Sequence, residues 1–397
     1  MEQPKYTSYR WVILFAAYVS ALSVMISIFK LPPLFPELSQ FYGVPLAAVS
    51  LAGMTAFGIG AGVTAIPLAI VFPKLMPKKA GILCVSLVII GTLVTLLTMN
   101  YIGFFVGRFI EGMALGYAFV YPIVALSFWF PPKDLGKVLG ILVTFLPVGA
   151  LIAFILAPIL SAMMNWTGID WFSLAWSVAG LIIWGVLAKN PPYMQTPAGS
   201  GPQTMPTVNI KNTLLNRDLL LLAFSFFAIA YLGNSVSILL PTYLQVVGHF
   251  DPLFAAILAL LPTLMMLWAA PVVGAIDDKT HQSKKLIIIS LGISFLLGFV
   301  ILFVGFNPIS LILYFVVAGS FWAMAYPPLM AAPPKIVGAL ASGLAMGEFV
   351  TMLSLCFVFG PLITSILAGI LGWQWAMVAA GLPALIGVLA AAKSKLK

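Results

Sequence analysis

The chain has 397 residues, of which 62% are hydrophobic and only 7% are charged, and its formal net charge is +9 at pH 7. Soluble globular proteins carry roughly 25% charged residues, so this composition excludes a soluble globular domain and indicates a protein surrounded by lipid. The positive charge does not indicate a nucleic-acid partner, because the basic residues lie in short segments between apolar stretches and not in one patch.

Twelve apolar stretches are long enough to be membrane-spanning helices, since a helix needs roughly 20 residues to cross a ~30 Å hydrocarbon core. The predicted spans, in chain order, are residues 10–33, 45–73, 79–99, 101–130, 135–164, 171–188, 218–247, 252–276, 284–305, 308–332, 337–368 and 372–392. The sequence therefore predicts an all-α membrane protein with twelve transmembrane helices.

Residues 190–217, between the sixth and seventh spans, contain five prolines and two glycines. This composition predicts an irregular linker. We therefore expect a six-helix bundle at residues 1–189, a linker at 190–217 and a second six-helix bundle at 218–397.

Lysine and arginine lie almost entirely on one side of the predicted membrane. Of the 19 such residues, all except Lys30 and Arg108 fall in segments on the same side as the N-terminus. Cytoplasmic segments of membrane proteins are enriched in Lys and Arg, so we expect both termini and the linker to be cytoplasmic. We also expect the membrane to be a prokaryotic cytoplasmic membrane.

The two predicted halves contain similar short motifs in the same order. A Lys-Lys pair, a Tyr-Pro pair, a Pro-Pro-Lys triplet and a tryptophan recur, at 78–79, 121–122, 131–133 and 171 in the first half and at 284–285, 326–327, 333–335 and 373 in the second. A repeated six-helix unit predicts two pseudo-symmetric bundles. It is typical of secondary transporters, in which two bundles move against each other around a site at their interface.

Two local motifs resemble those of the major facilitator superfamily. Residues 107–112, with the sequence Gly-Arg-Phe-Ile-Glu-Gly, and Gly116 are similar to its fourth-helix motif. Gly274, Asp278 and Lys279 are similar to its loop motif. Together with the spans and the repeat, the resemblance covers essentially the whole chain. It implies transport by alternating access, with Gly274, Asp278 and Lys279 in a cytoplasmic gate.

Four charged side chains fall well inside the predicted spans: Lys30, Arg108, Glu111 and Glu348. A central charge costs roughly 2.5–3.5 kcal/mol on insertion scales, so such residues face a partner or a cavity and are functional candidates. Arg108 and Glu111 are three residues apart on one helix, so their side chains can meet. Either Arg108 binds an anion while Glu111 takes up and releases a proton, or the two form a permanent pair.

Lys30 and Glu348 each have two interpretations. Lys30 lies in the outer half of the first span, where it either contacts an anionic substrate or extends its amine to the headgroups. Glu348 lies near the middle of the eleventh span. Desolvation disfavours the charged form of an isolated carboxyl group, so Glu348 is a candidate proton carrier, although a neutral, hydrogen-bonded structural role is the alternative.

Five uncharged residues are further candidates for contacts with the substrate. The resemblance implies that helices one, four, seven and ten line the cavity, and their polar or aromatic side chains are Tyr121, Tyr231, Asn234, Trp322 and Tyr326. For each aromatic side chain, packing inside a bundle is the alternative.

No ATP-binding, metal-ligating or nucleophilic motif occurs in the sequence, so we expect neither an enzyme nor a cofactor or metal. We expect a monomeric secondary active transporter of a small carboxylate-like anion, which is proton-coupled or exchanging. The alternative is a carrier of neutral or amphipathic solutes, efflux included, whose intramembrane charges are structural. A channel or a non-transporting sensor is the third possibility.

Overall fold

The computed structural model describes residues 8–71, 77–118, 121–130, 138, 141–142, 144–189 and 210–396. Within these ranges all regular structure is helical. Twelve stretches, some of which combine more than one helix, are long and apolar enough to cross a membrane, and we call them spans 1 to 12. The prediction of an all-α fold with twelve transmembrane helices is therefore confirmed.

The first half contains spans 1 to 6, and three of them consist of more than one helical segment. Span 1 is formed by Tyr9–Phe29, the 3-10 turn Pro32–Leu34 and Phe35–Tyr42; span 2 by Leu46–Ser50, the π-helical turn Leu51–Thr55 and Ala56–Val71; span 3 by Pro77–Thr98; span 4 by Tyr101–Ala118 and Tyr121–Trp129; span 5 by Phe145–Met164; and span 6 by Thr167–Leu187.

The second half contains spans 7 to 12. Span 7 is formed by Arg217–Val246; span 8 by Pro252–Leu264 and Met266–Thr280; span 9 by Ser283–Val304; span 10 by Pro308–Met324 and the beginning of Tyr326–Leu371; span 11 by the remainder of that helix; and span 12 by Trp373–Ala380 and Leu382–Lys393. Residues 190–209 of the predicted linker lie outside the described residues, and a short helix, Ile210–Leu214, precedes span 7.

Local caps define where several spans begin and end. Asn307 and Asp251 accept hydrogen bonds from the first backbone N–H groups of the helices that follow them, which satisfies donors that a helix start leaves free. Gly43 ends span 1 with a φ of 62°, a left-handed conformation that glycine adopts without steric cost.

Glycines bring spans 2, 3 and 4 into backbone contact. A Cβ atom on Gly60 would lie 2.0 Å from the carbonyl oxygen of Phe109, and one on Gly112 would lie 1.9 Å from that of Phe57. A Cβ atom on Gly91 would lie 2.5 Å from the carbonyl oxygen of Gly107. Small residues allow helices to approach closely inside a membrane. In this bundle they place the buried part of span 4 directly between spans 2 and 3.

An even number of spans places both termini on one side of the membrane, and we call the opposite side distal. The two halves contact each other from the distal ends of their spans to the middle. Gln245 Nε2 donates to the carbonyl oxygen of Pro33 over 2.9 Å, and Thr55 Oγ1 donates to that of Val358 over 2.7 Å. The structure is therefore closed on the distal side.

The cytoplasmic location of the termini stays a prediction from the positive-inside rule. A cysteine placed in the linker, as in Ser200→Cys, should not react with a membrane-impermeant thiol reagent added outside intact cells, whereas Asn165→Cys in a distal loop should react. The native cysteines, Cys84 and Cys356, are buried and do not interfere. Labelling of the linker cysteine from outside would contradict the predicted orientation.

Candidate functional site

Four charged side chains meet inside the first half. Lys30 from span 1, Arg108 and Glu111 from span 4, and Asp170 from span 6 are each at most 1% exposed. We call these four residues the ion-pair cluster. It contains two cations and two carboxylates, so it is neutral overall when all four groups are charged.

Glu111 is the centre of the cluster, and both of its oxygens are satisfied. Oε1 lies 2.7 Å from Lys30 Nζ and accepts a hydrogen bond from Thr92 Oγ1 over 2.5 Å. Oε2 accepts from Ser27 Oγ over 2.9 Å and pairs with Arg108 Nη1. The Arg108–Glu111 contact confirms the pairing that their spacing predicts.

Lys30 links the two carboxylates of the cluster. Its Nζ lies 2.7 Å from Glu111 Oε1 and 2.7 Å from Asp170 Oδ1, and it donates to Thr92 Oγ1 over 3.3 Å. The amine therefore points into the bundle and does not extend to the headgroups. Spans 1, 3, 4 and 6 are connected through this one side chain.

Arg108 is held by backbone carbonyl groups as well as by Glu111. Its Nε donates to the carbonyl oxygen of Gly53, and its Nη1 to that of Ser27, each over 2.8 Å. Gly53 lies in the π-helical turn of span 2. Such turns are frequent at functional sites, and here the turn supplies a carbonyl acceptor. The guanidinium also lies 4.7 Å from the ring centroid of Phe57.

One nitrogen of Arg108, Nη2, is buried and has no hydrogen-bond partner among the described residues. Arg108 is 0% exposed, and buried polar groups are normally hydrogen-bonded to protein or water. Nη2 is thus a cationic donor that remains available to a further acceptor.

Asp170 is the member of the cluster that the sequence did not identify. The predicted sixth span began at residue 171, which placed this carboxylate in a loop. Span 6 in fact begins at Thr167, so Asp170 lies in its first turn and is fully buried. Both carboxylate oxygens lack a well-oriented hydrogen bond within the described part of the chain, although the ion pair with Lys30 is short.

Glu348 is not a member of the cluster and lies on span 11 in the second half. Its side chain is 7% exposed, and neither carboxyl oxygen has a hydrogen-bond partner among the residues described. The two predicted proton-coupling residues therefore have opposite environments. The carboxylate of Glu111 accepts hydrogen bonds from several side chains, whereas the carboxyl group of Glu348 has no hydrogen-bond donor among the described residues.

The uncharged candidates are divided between the halves. Tyr121 forms a 2.7 Å hydrogen bond with Ser20 in the first half. The other four, which lie in the second half on spans 7 and 10, are Tyr231, Asn234, Trp322 and Tyr326. The hydroxyl group of Tyr326 lies 3.7 Å from the Cβ position of Gly233, beside Asn234. None of these contacts involves the ion-pair cluster, so their predicted role in substrate binding stays a prediction.

Gly274 and Lys279 lie at the terminus-side end of span 8, where the sequence predicted a gate, while the side chain of Asp278 lies outside the described residues. The neighbouring carboxylate, Asp277, accepts hydrogen bonds from Ser283 Oγ over 2.7 and 2.8 Å and lies 3.2 Å from Lys335 Nζ. This contact joins spans 8, 9 and 10 inside the second half. The gate itself stays a prediction.

A family model described as Major Facilitator Superfamily matches residues 13–347 and 249–394. The chain belongs to the major facilitator superfamily. Its members are transporters, so this protein is an integral membrane transporter and not an enzyme. Both conclusions confirm predictions from the sequence. No curated protein matches the chain in sequence.

Solved structures of the superfamily have the same fold. A bacterial homologue of the human lysosomal transporter Spinster, in an inward-facing and unoccupied conformation, has a TM-score of 0.77 at 15% identity, with 98% of each chain covered. The human organic anion transporter MFSD10 has a TM-score of 0.70 at 16% identity, covering 98% of this chain and 100% of that one. At these identities the similarity establishes the fold alone.

Proposed function

We propose that this protein is a secondary active transporter of a small, carboxylate-like anion, and that it couples transport of the anion to a proton by alternating access. The observation that carries the proposal is the arrangement around Glu111. Both cations of the ion-pair cluster bind this one carboxylate, while Arg108 Nη2 has no partner among the described residues.

The charge of the cluster links the anion to the proton. The cluster is neutral, so an anion bound by Arg108 would leave an uncompensated negative charge in a buried site, which is costly. A proton on Glu111 removes that charge. It also weakens the hold of Glu111 on Arg108, which frees the guanidinium fork to bind a carboxylate. The proton and the anion therefore favour each other's binding, which is the requirement for symport.

Alternating access is supported by the contacts between the halves. Both hydrogen bonds described between them, from Gln245 to Pro33 and from Thr55 to Val358, lie between the distal ends and the middle of the spans. A transporter closed on one side must open there to complete its cycle. The inward-facing conformation of the Spinster homologue is consistent with this arrangement.

The proposal is tested by measuring proton uptake on binding. Purified protein is first screened by thermal shift against mono- and dicarboxylates, with glucose as a neutral probe, because a ligand stabilises the folded state that binds it. A stabilising monocarboxylate is then added to protein in weakly buffered solution. We expect about one proton to be taken up per bound anion, and none in Glu111→Gln, because amides do not titrate. Binding of the anion without proton uptake would contradict symport.

A carrier of neutral or amphipathic solutes is the second candidate. The observation that favours it is that every described contact of the ion-pair cluster lies within the first half, so the cluster can serve to hold spans 1, 2, 3, 4 and 6 together. Stabilisation by neutral solutes alone in the same screen would support this candidate. Saturable counterflow in liposomes would distinguish either carrier from a channel or a sensor.

Glu348 is a second proton-coupling candidate, and Glu348→Gln tests it. Glutamine keeps the size of the side chain and cannot titrate, so we expect proton-driven accumulation in proteoliposomes to be lost while exchange of labelled for unlabelled solute continues. Glu37→Gln is the matched control, because Glu37 is a partly buried carboxylate bonded to Ser161 near the distal end of span 1. Normal accumulation by Glu348→Gln would leave only a structural role for this carboxyl group.

A further inference from the structure

Two rows of serines face each other inside the first half. On span 1, Ser20, Ser23, Ser27 and Lys30 are separated by three or four residues, so they share one face of the helix. On span 6, Asp170, Ser173 and Ser177 share one face by the same spacing. All seven side chains are at most 1% exposed.

The register of spans 1 and 6 places these rows opposite one another. The spans are antiparallel, and Lys30 and Asp170 form a 2.7 Å ion pair. A Cβ atom on Gly180 would lie 3.1 Å from Ser23 Oγ, and Tyr9 donates a hydrogen bond to the carbonyl oxygen of Leu187 over 2.8 Å.

From the Lys30–Asp170 pair, residue numbers fall along span 1 as they rise along span 6. Ser27 therefore lies at the level of Ser173, and Ser23 at the level of Ser177. We call Ser20, Ser23, Ser27, Ser173 and Ser177 the serine seam. It is a continuous polar strip between two helices that are otherwise largely apolar.

Three hydroxyl groups of the serine seam are unsatisfied. Ser23, Ser173 and Ser177 have no hydrogen bond to any group in the described residues. Buried serines outside the seam differ among themselves: Ser225 and Ser354 each donate to the carbonyl group four residues earlier, whereas Ser50, Ser235 and Ser294 also have no partner among the described residues. In the seam, three such hydroxyl groups lie on two helix faces that oppose each other. Buried polar groups are normally satisfied by protein or by ordered water. The seam therefore has the chemistry of a strip that binds a file of water molecules.

Each end of the serine seam reaches a polar group. At the distal end, Ser27 donates to Glu111 over 2.9 Å. At the other end, Ser20 is bonded to Tyr121, whose ring packs 5.1 Å from that of Trp184. Trp184 donates to the carbonyl oxygen of Lys78 over 3.0 Å at the terminus-side start of span 3. From Lys30 to Ser20 the helix rises about 15 Å, half of a ~30 Å bilayer core.

We propose that the serine seam is a water-bearing proton path inside the first half, which connects the carboxylates of the ion-pair cluster to the terminus side of the membrane. The inference rests on the proposed proton coupling. It assigns the proton a route that lies within the first half and does not pass between the two halves, where alternating access would open a path for the solute.

The titratable groups around this route come from several elements. Lys30 contacts both carboxylates and Arg108 contacts Glu111, and Tyr42 lies near Asp170 at the distal end. The Cys84 thiol, which donates a hydrogen bond to the carbonyl oxygen of Ala114, lies near Tyr117 and Tyr121 at the other end. The alternative role of the seam is helix packing through small side chains, a role that alanine fills as well as serine.

The test follows protonation of the cluster in the full chain, both without solute and with a stabilising monocarboxylate present. Protein in lipid nanodiscs is subjected to a pH jump, and the infrared carboxyl bands are followed in time and assigned with Glu111→Gln and Asp170→Asn. In the double variant Ser23→Ala/Ser177→Ala we expect protonation to slow by about ten-fold, the effect of losing roughly one net hydrogen bond from the transfer barrier. Ser294→Ala is the matched control, because Ser294 is a buried, unsatisfied serine on span 9.

The outcomes separate this inference from the proposed function. We expect protonation to be slower in the double variant but not in the Ser294→Ala control, and we expect the two proteins to have equal thermal midpoints. An unchanged rate would overturn the path and leave the proton coupling intact. Carboxyl bands that do not respond to pH in the wild type, either without solute or with the monocarboxylate bound, would overturn both. Ser173→Ala provides a second measurement of the rate if the double variant does not fold.

Discussion

Arg108→Lys is expected to lower the affinity for the transported anion by more than about ten-fold, because each lost hydrogen bond to a charged group is worth roughly 1.5–3 kcal/mol. Lysine keeps the positive charge but lacks the planar fork that binds a carboxylate through two parallel bonds. It also cannot reach the carbonyl oxygens of Gly53 and Ser27 together, as the guanidinium does. The change therefore removes the planar arrangement of hydrogen-bond donors and leaves the net charge of the cluster unchanged.

The charge series at positions 108 and 111 distinguishes a substrate role from a structural role. Arg108→Gln leaves the ion-pair cluster with an excess negative charge, and Glu111→Gln leaves it with an excess positive charge. Breaking one partner of a buried pair costs roughly 3–5 kcal/mol, so each single variant should have a clearly lower thermal midpoint. The double variant restores neutrality and should recover most of that stability. It should still fail to bind the anion.

The measurement is ligand affinity and thermal midpoint in all four variants, after each has been shown to be inserted. Arg217→Gln is the matched control, because Arg217 is exposed at the start of span 7 and should change neither quantity. An active double-glutamine protein would refute a substrate role for Arg108. It would favour the carrier of neutral solutes, in which the cluster only holds the first half together.

The membrane made the helices easy to predict and left the contacts between them hidden. A long apolar stretch in the hydrocarbon must satisfy its backbone polar groups within the stretch itself, and an α-helix does so. All twelve spans could therefore be predicted from the sequence. Arg108 and Glu111 could be paired from sequence because both lie on one helix. The contact of Lys30 with Glu111 depends on the register between spans 1 and 4, which no local pattern encodes.

Boundary errors of a few residues had functional consequences. The sixth span was predicted to begin at residue 171, and a start at Thr167 moves Asp170 from a loop into the cluster. The acidic pair at 277–278 shows the same sensitivity. Neighbouring residues point about 100° apart on a helix, and Asp277 faces Ser283 and Lys335, whereas the family motif drew attention to Asp278.

Gly58→Leu is expected to open the distal side of the transporter. Gly58 lies on span 2, where it meets span 11 of the other half. A Cβ atom at this position would lie 2.7 Å from the backbone nitrogen of Val358 and 2.8 Å from both Phe357 Cβ and the carbonyl oxygen of Ser354. A backbone cannot move aside as a flexible side chain can, so any larger side chain must push the two halves apart.

The effect on the conformational equilibrium follows from the cost of overpacking. Inserting atoms into a close-packed contact costs roughly 1–3 kcal/mol, which shifts an equilibrium by about 5- to 150-fold. The clash exists only where spans 2 and 11 touch, so states in which the halves separate there do not bear the cost. The change therefore raises the population of a distally open state without unfolding either bundle.

Thiol labelling at the distal interface measures this shift. Gln245→Cys replaces the side chain that bonds Pro33 across the halves, and a membrane-impermeant reagent should label it several-fold faster when Gly58→Leu is also present, in keeping with the expected shift of about five-fold or more. Gly185→Ala is the matched control, because a Cβ atom there meets nothing within 4 Å. Unchanged labelling, with a lower thermal midpoint, would mean that the clash destabilises the fold and that the contact between spans 2 and 11 does not separate during transport.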